Sequence, residues 1–158
     1  MPRARRSWSE KLADSKDLPR VEKIDCNKTK KWGTGTFVIP APREVDELMQ
    51  QVPLGRVTTI DALRSALARK HSATIACPLT TGIFAWIAAH AGAEAEAAGT
   101  KKPTPWWRTL KAGGEINPKY PGGPEETARR LRAEGHRIVQ KGKRWLVADY
   151  DSVLWSPQ

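Results

Sequence analysis

Few residues in this chain are equipped for covalent chemistry, and their spacing argues against it. Cys26 and Cys77 are its thiols, and His71, His90 and His136 its imidazoles. They form no CxxC pair and no zinc-ligand pattern, so neither a metal nor another cofactor is expected. Cys77 lies in IACPL, just before an expected helix, where a thiol can have a lowered pKa. A free cysteine is more often a small buried residue, and Cys77 is read as one. The GTGT at 33–36 lacks the lysine and the spacing of a phosphate loop and reads as a turn. The most unusual stretch is TPWWRTL at 104–110, where Trp106 and Trp107 stand side by side between Pro105 and Arg108. Indole is large, and its N–H needs a partner when buried. Two neighbouring indoles on irregular backbone cannot easily both face one core.

The charge balance points to the class of partner. Lys and Arg number 27 against 17 Asp and Glu, a net charge of +10 with a pI near 10.0. Such an excess points to a polyanion. An apolar content of 39% in 158 residues is enough for one core. No run of about 18 apolar residues is present, so no membrane span is expected. The start, MPRARRSWSEK, has no apolar stretch of the kind a secretory signal needs. The expectation is a monomer of a reducing cytoplasm, associated with the nucleoid.

The elements that must position TPWWRTL follow from periodicity and caps. Residues 1–40 read as a basic N-terminal arm, with Arg3, Arg5, Arg6, Lys11, Lys16 and Lys28 among its cations, pinned to the domain by Trp8 and Trp32. A short helix is expected in SWSEKLADSK. Residues 41–135 form the domain. APREVDELMQQV is a helix with Pro42 in its first turn and Val45, Leu48, Met49 and Val52 on one face. Thr59 caps a second helix, TIDALRSALARK, with Ile60, Leu63 and Leu67 inward. A third helix is expected to open at Thr80 or Thr81 with Ile83, Phe84 and Ile87 inward. Ala85, Ala88, Ala89 and Gly92 make it small-sided, suited to close approach by protein or nucleic acid. Trp86 is read as packing. The fourth helix starts at Pro124 and stops at Gly135. Residues 136–158 are a hairpin extension around KGK, with Trp145 in cross-strand packing and a helical turn in DYDSVLW. The class is α+β, mainly α: a winged-helix-like domain with a helix–turn–helix, a C-terminal β-hairpin and a basic arm.

Val52 to Gly135 resembles the DNA-binding domain of the O6-alkylguanine-DNA alkyltransferases, and most of all their alkyltransferase-like relatives that lack the reactive cysteine. The residues that carry the resemblance are PLGRVTTID at 53–61, the small-residue helix TTGIFAWIAAHA at 80–91, PWWR at 105–108, Gly114, Tyr120-Pro121-Gly122-Gly123 and Glu134-Gly135. It does not extend to the arm or the hairpin. The resemblance implies a DNA-binding fold in which a base turned out of the duplex is held in a pocket.

The departures decide what chemistry is left. Where the family has its alkyl-accepting Cys this chain has Trp106, and Trp107 replaces the His that links the Cys to a Glu. A thiolate is the nucleophile in such chemistry and indole cannot replace it, so no enzymatic activity is expected. Glu134 remains and is expected only to pack locally. The family's phosphate-pressing Tyr is Ile60, its Arg finger aligns with Thr81, and Pro121 replaces a pocket Ser. The implied DNA- and base-binding residues are Trp106, Trp107, Arg108, Ile60, Thr81, Ala85, Ala89, Tyr120 and Gly122. Trp106 would wall the pocket, since stacking on an aromatic ring contributes about 1–3 kcal/mol per base. Arg108 would brace the loop, and the small-sided helix would enter a groove. The implied partners are duplex DNA, alkylated DNA as a candidate, and repair proteins. In the alternative, Trp106 fills the vacated pocket, and the fold binds nucleic acid or a protein without reading lesions.

Overall fold

The structure, a computed structural model, describes residues 6–25 and 29–157. Arg3, Arg5, Cys26 and Lys28 lie outside the described residues. The segment expected to be an arm carries ordered elements: α1 (Trp8–Ala13), β1 (Arg20–Lys23), α2 (Thr29–Trp32) and β2 (Thr36–Ile39). It is not loose, because β2 carries core residues. Val38 and Phe37 are buried, and β2 is the middle strand of a three-stranded sheet, antiparallel to β1 and parallel to β4 (Ile75–Ala76). WGTGTFVIP reads in the sequence as a short extended segment, and β2 is the strand within it. Trp32 packs with Phe37 in a small cluster that also holds Ile24 and Cys77.

The helices form where the caps predict, with one shift. In α3 (Pro42–Gln50), Pro42 opens the first turn, and the Glu44 carboxylate accepts the Ala41 N–H at 2.8 Å. The same carboxylate takes Lys70 Nζ at 2.7 Å and lies 2.6 Å from His71 Nε2. It therefore ties the start of α3 to the end of α4 (Ile60–Lys70). Burial raises the Glu44 carboxyl pKa, but Lys70, the Ala41 N–H and His71 outweigh it and hold it below its usual value. Thr59 caps α4 by accepting the Ala62 N–H at 3.2 Å. The next helix, α5 (Pro78–Ala97), starts two residues before the expected Thr80, with Pro78 in its first turn. It is apolar on several sides, so periodicity alone does not orient it. Its buried side is the small one: Ala85, Ala88 and Ala89 are inaccessible and Gly92 is buried, whereas Ile83 is exposed and Phe84 and Ile87 are half-buried. The inward placement expected for Ile83 is corrected accordingly.

Two hydrophobic clusters share Trp107 at their boundary. The larger gathers β2, α3, α4 and α5 around Val45, Met49, Leu63, Trp106 and Tyr120. The smaller joins Val57, Leu110, Ile116, Ala128, Leu131 and Val147. It sits between α6 (Gly123–Ala133) and the hairpin of β6 (Ile138–Lys141) and β7 (Arg144–Val147). Short parallel pairing of β3 (Thr58–Thr59) with β5 (Thr109–Leu110) draws the tryptophan loop to the start of α4. The chain is thus α+β and mainly helical, with a helix–turn–helix of α4 and α5 and a C-terminal hairpin. No helix among the described residues is long and apolar enough to cross a membrane.

Asp46 fastens the approach to the tryptophan loop. It is buried, and it accepts Thr104 Oγ1–H and Gln50 Nε2–H, both at 2.6 Å. Burial raises its carboxyl pKa by more than these bonds lower it. A carboxyl raised above its unfolded value, near 3.9, favours folding while protonated, and that contribution is lost as pH rises through the folded pKa. Asp46→Asn keeps an acceptor for Thr104 and carries no charge. It should melt above the native protein at pH 7, with a gap that narrows towards pH 4; thermal melts at both pH values check this, and a constant or reversed gap contradicts it.

Candidate nucleic-acid interface

The exposed side of α5 borders an open cleft of about 610 Å³. Pro78, Leu79, Gly82, Ile83 and Trp86 form its helical side; Lys111, Asn117, Pro118 and Lys119 form the opposite wall. Leu79 is 69% and Ile83 42% exposed, a high cost for large aliphatic side chains on a surface without a partner. The wall is tied to the helix, because Trp86 Nε1 donates to the Lys119 carbonyl at 3.1 Å and His90 Nε2 lies 3.1 Å from the same oxygen. Lys111 and Lys119 are exposed at the cleft, where phosphates could reach them.

Behind this surface the PWWR stretch is closed. Residues Trp106–Arg108 form one 3-10 turn, and Trp106 is 1% exposed. Its ring lies 5.0 Å from that of Trp107, edge to face, and the Arg130 guanidinium sits 4.4 Å from its centroid and 4.8 Å from that of Trp107. Glu96 holds Arg130 in place, accepting Nη1–H at 2.8 Å. The small side of α5 exists for this packing: a Cβ on Gly92 would come within 2.9 Å of the Thr104 carbonyl and 3.3 Å of the Trp106 ring. The Trp106 indole N–H is buried without a hydrogen-bond partner.

Glu134 is held locally, as expected, by the two residues that follow Trp106. Trp107 Nε1 donates to its carboxylate at 2.7 Å, and Arg108 grips it with Nε at 2.9 Å and Nη2 at 3.0 Å. Arg108 Nη1 also donates to the Val52 carbonyl at 2.9 Å, so Arg108 braces the loop as expected. An indole N–H donates but cannot accept, so Trp107 keeps the structural bond and supplies no base. Burial raises the Glu134 carboxyl pKa, and Arg108, Trp107 and the Gly55 N–H together bring it below its usual value.

None of the predicted residues lines the open cleft. Trp106, Trp107, Arg108 and Tyr120 come together, but Trp106 and Tyr120 are buried in the core and wall no open pocket. Ala85 and Ala89 lie beneath them, inaccessible rather than groove-facing. Thr81 is buried with its hydroxyl on the Cys77 carbonyl at 2.7 Å, so it does not stand where an extruded base would be replaced. Ile60 is half-buried against the main core. Gly122, at φ +78°, precedes α6, where a Cβ would strike Glu126. The outward residues Leu79, Ile83, Lys111 and Lys119 were missed; an apolar residue at an exposed helical position leaves no signal in a helix apolar on several sides. Cys77 is buried at the start of α5.

With this geometry the chain can be compared with known proteins. No protein-family model matches it, and no curated protein matches it in sequence. Two solved structures do match: S. pombe Atl1 in complex with damaged DNA containing O6-carboxymethylguanine, and S. pombe ATL in complex with DNA. Each is 20% identical, with a TM-score of 0.52 over 73% of this chain and 94% of the other. The fold is that of S. pombe Atl1. At this identity the likeness establishes architecture, and the shared architecture agrees with the motif order read between Val52 and Gly135.

Three stability outcomes follow from the closed side. Glu134→Ala leaves the half-buried Arg108 guanidinium without its carboxylate and should cost about 1–3 kcal/mol in denaturant unfolding. A carboxyl held below its unfolded value stabilises above that value and loses the effect as pH falls through the folded pKa. Glu134→Gln should accordingly flatten the acid limb of the pH–stability curve. Gly92→Ala should cost about 1–3 kcal/mol by overpacking, read in the same assay.

Proposed function

We propose that this chain is a non-enzymatic DNA-binding protein that seats the exposed side of α5 in a groove of duplex DNA. An alkylated guanine turned out of the duplex is its candidate guest in the cleft. The observation that carries this reading is the open cleft beside the second helix of a helix–turn–helix, bordered by Lys111 and Lys119. A volume of about 610 Å³ is in the range of small-ligand sites. The neighbour of the same fold, S. pombe Atl1, was solved with damaged DNA containing O6-carboxymethylguanine. Lysines at the rim would meet phosphates, which give affinity with little sequence preference. Turning a base out costs a few kcal/mol, least for a damaged one, and the Trp86 ring offers an edge of apolar surface against it. No thiol lines the cleft, so a bound lesion would stay intact and be passed to repair proteins.

One observation favours a second reading. Trp106 is closed off and Thr81 points inward, so the same surface could grip duplex DNA without reading lesions.

Fluorescence anisotropy with two matched duplexes, one carrying a single O6-alkylguanine, separates the readings. The native protein should bind the damaged duplex at least tenfold more tightly. Ile83→Glu should weaken binding to both by more than tenfold at unchanged melting temperature. Equal affinity for the two duplexes selects the second reading, and no binding to either removes DNA from the account.

A further inference from the structure

On the far side of the Leu79–Ile83 ridge from the cleft lies a second hollow, of about 230 Å³. At 3.6 residues per turn, Pro78, Gly82 and Trp86 fall on one side of that ridge and Phe84 and Ile87 on the other. Phe84 and Ile87 form part of the second hollow's floor, and Arg6, Lys11 and Lys16 its rim. The cations are not on a loose tail. The Glu94 carboxylate accepts the N–H groups of Trp8 at 3.1 Å and Ser9 at 3.2 Å, capping α1 from across the fold. The Trp8 ring stacks on His90 at 4.5 Å and meets Trp86 edge to face at 4.8 Å. Lys11 lies 4.2 Å over Trp8, and turns closing on Ala13 and Ser15 carry the chain past Lys16, which is exposed with φ +50°. Asp14 also borders the hollow, where it is bonded to Arg6 at 2.9 Å and attracts Lys16, and Arg6, Lys11 and Lys16 together leave the hollow's lining with a positive excess.

We infer that the segment from Arg6 to Leu18 is the second jaw of a two-sided grip. Lys11 and Lys16 contact the phosphate backbone on one side of the groove that α5 enters, while Lys111 and Lys119 contact the backbone on the other. This rests on the DNA-binding reading above. A helix lying in a groove has one phosphate backbone on each flank. Here each flank of the exposed ridge carries its own pair of lysines on rigid supports. The aromatic and aliphatic floor between them suits the sugar edges of a strand better than a purely charged rim would. A free surface helix would need no cap from Glu94 and no stack on His90. The segment is built to hold its lysines at a fixed distance from α5.

The test is the salt dependence of duplex binding by the full chain, measured by anisotropy on the undamaged duplex at several NaCl concentrations. Each phosphate contact adds about 0.9 to the slope of log K against log salt. Lys11→Gln with Lys16→Asn should lower the slope by about two and weaken damaged and undamaged duplexes by the same factor. Lys16→Asn alone, where asparagine accepts the left-handed backbone, should lower it by about one. Lys101→Gln with Lys102→Gln, exposed beyond the end of α5, should leave the slope unchanged. A native slope in the Lys11/Lys16 variants overturns the second jaw while leaving DNA binding intact, and so does an equal drop in the Lys101/Lys102 control. Absence of any duplex binding by the native chain overturns the DNA reading itself.

Discussion

The burial of the Trp106 indole against Gly92 of α5 is the contact on which the other features depend. It uses the small side of the helix, and so turns the larger residues Leu79, Ile83 and Trp86 outward or to the rim. It brings Trp107 to the boundary between the two hydrophobic clusters, where its N–H reaches Glu134. It also gives Arg130 two ring faces to cover, with Glu96 and Glu126 on its outer side. A core seldom tolerates an indole N–H without a partner, and here that cost of about 1–3 kcal/mol is offset by the apolar area the ring removes from water.

Recognition and rigidity are thereby divided between two faces of one helix. The inner face of α5 is closed by Trp106 and the Thr104 backbone. The outer face is open, apolar along its ridge and lined with lysine. The terminal segments serve this division. The N-terminal segment leans on His90 and Trp86 from one side, while the hairpin supports the cleft wall through the Ile116 N–H to Trp145 carbonyl bond, 2.8 Å long. The tail closes the second cluster where Trp155 N–H meets the Val57 carbonyl at 2.7 Å.

Much of the fold was legible in the sequence because caps and turns are local. Thr59, Pro42 and the KGK turn each state their element within a few residues, and the ordered motifs from PLGRV to Glu134-Gly135 state the architecture. The site was legible only in outline. Trp106, Trp107 and Arg108 stand out together and Glu134 reads only as packing locally, but their roles depend on which face of α5 is buried. That face is chosen by the width of an indole meeting a glycine, a long-range fit with no periodic signature. For the same reason β2 reads in the sequence only as a short extended segment: Phe37 and Val38 are core residues only because β4 arrives beside them from nearly forty residues away. The His71–Glu44 contact likewise joins residues 27 apart in sequence, beyond the reach of any local motif.

The packing around Trp106 also limits what position 106 can carry. A thiol there would remove most of an indole from a packed core, a change that costs about 3–5 kcal/mol when the surroundings cannot collapse. Gly92 and its alanine neighbours could not fill the void, and Trp107 would still donate to Glu134 without a lone pair to accept a proton. A cysteine at position 106 would therefore make the chain less stable and leave it inert, because it would sit in a closed core beside a donor that cannot take its proton. Position 106 is in this sense committed to holding the fold together, and a change there registers as a folding defect before it registers as a change of chemistry.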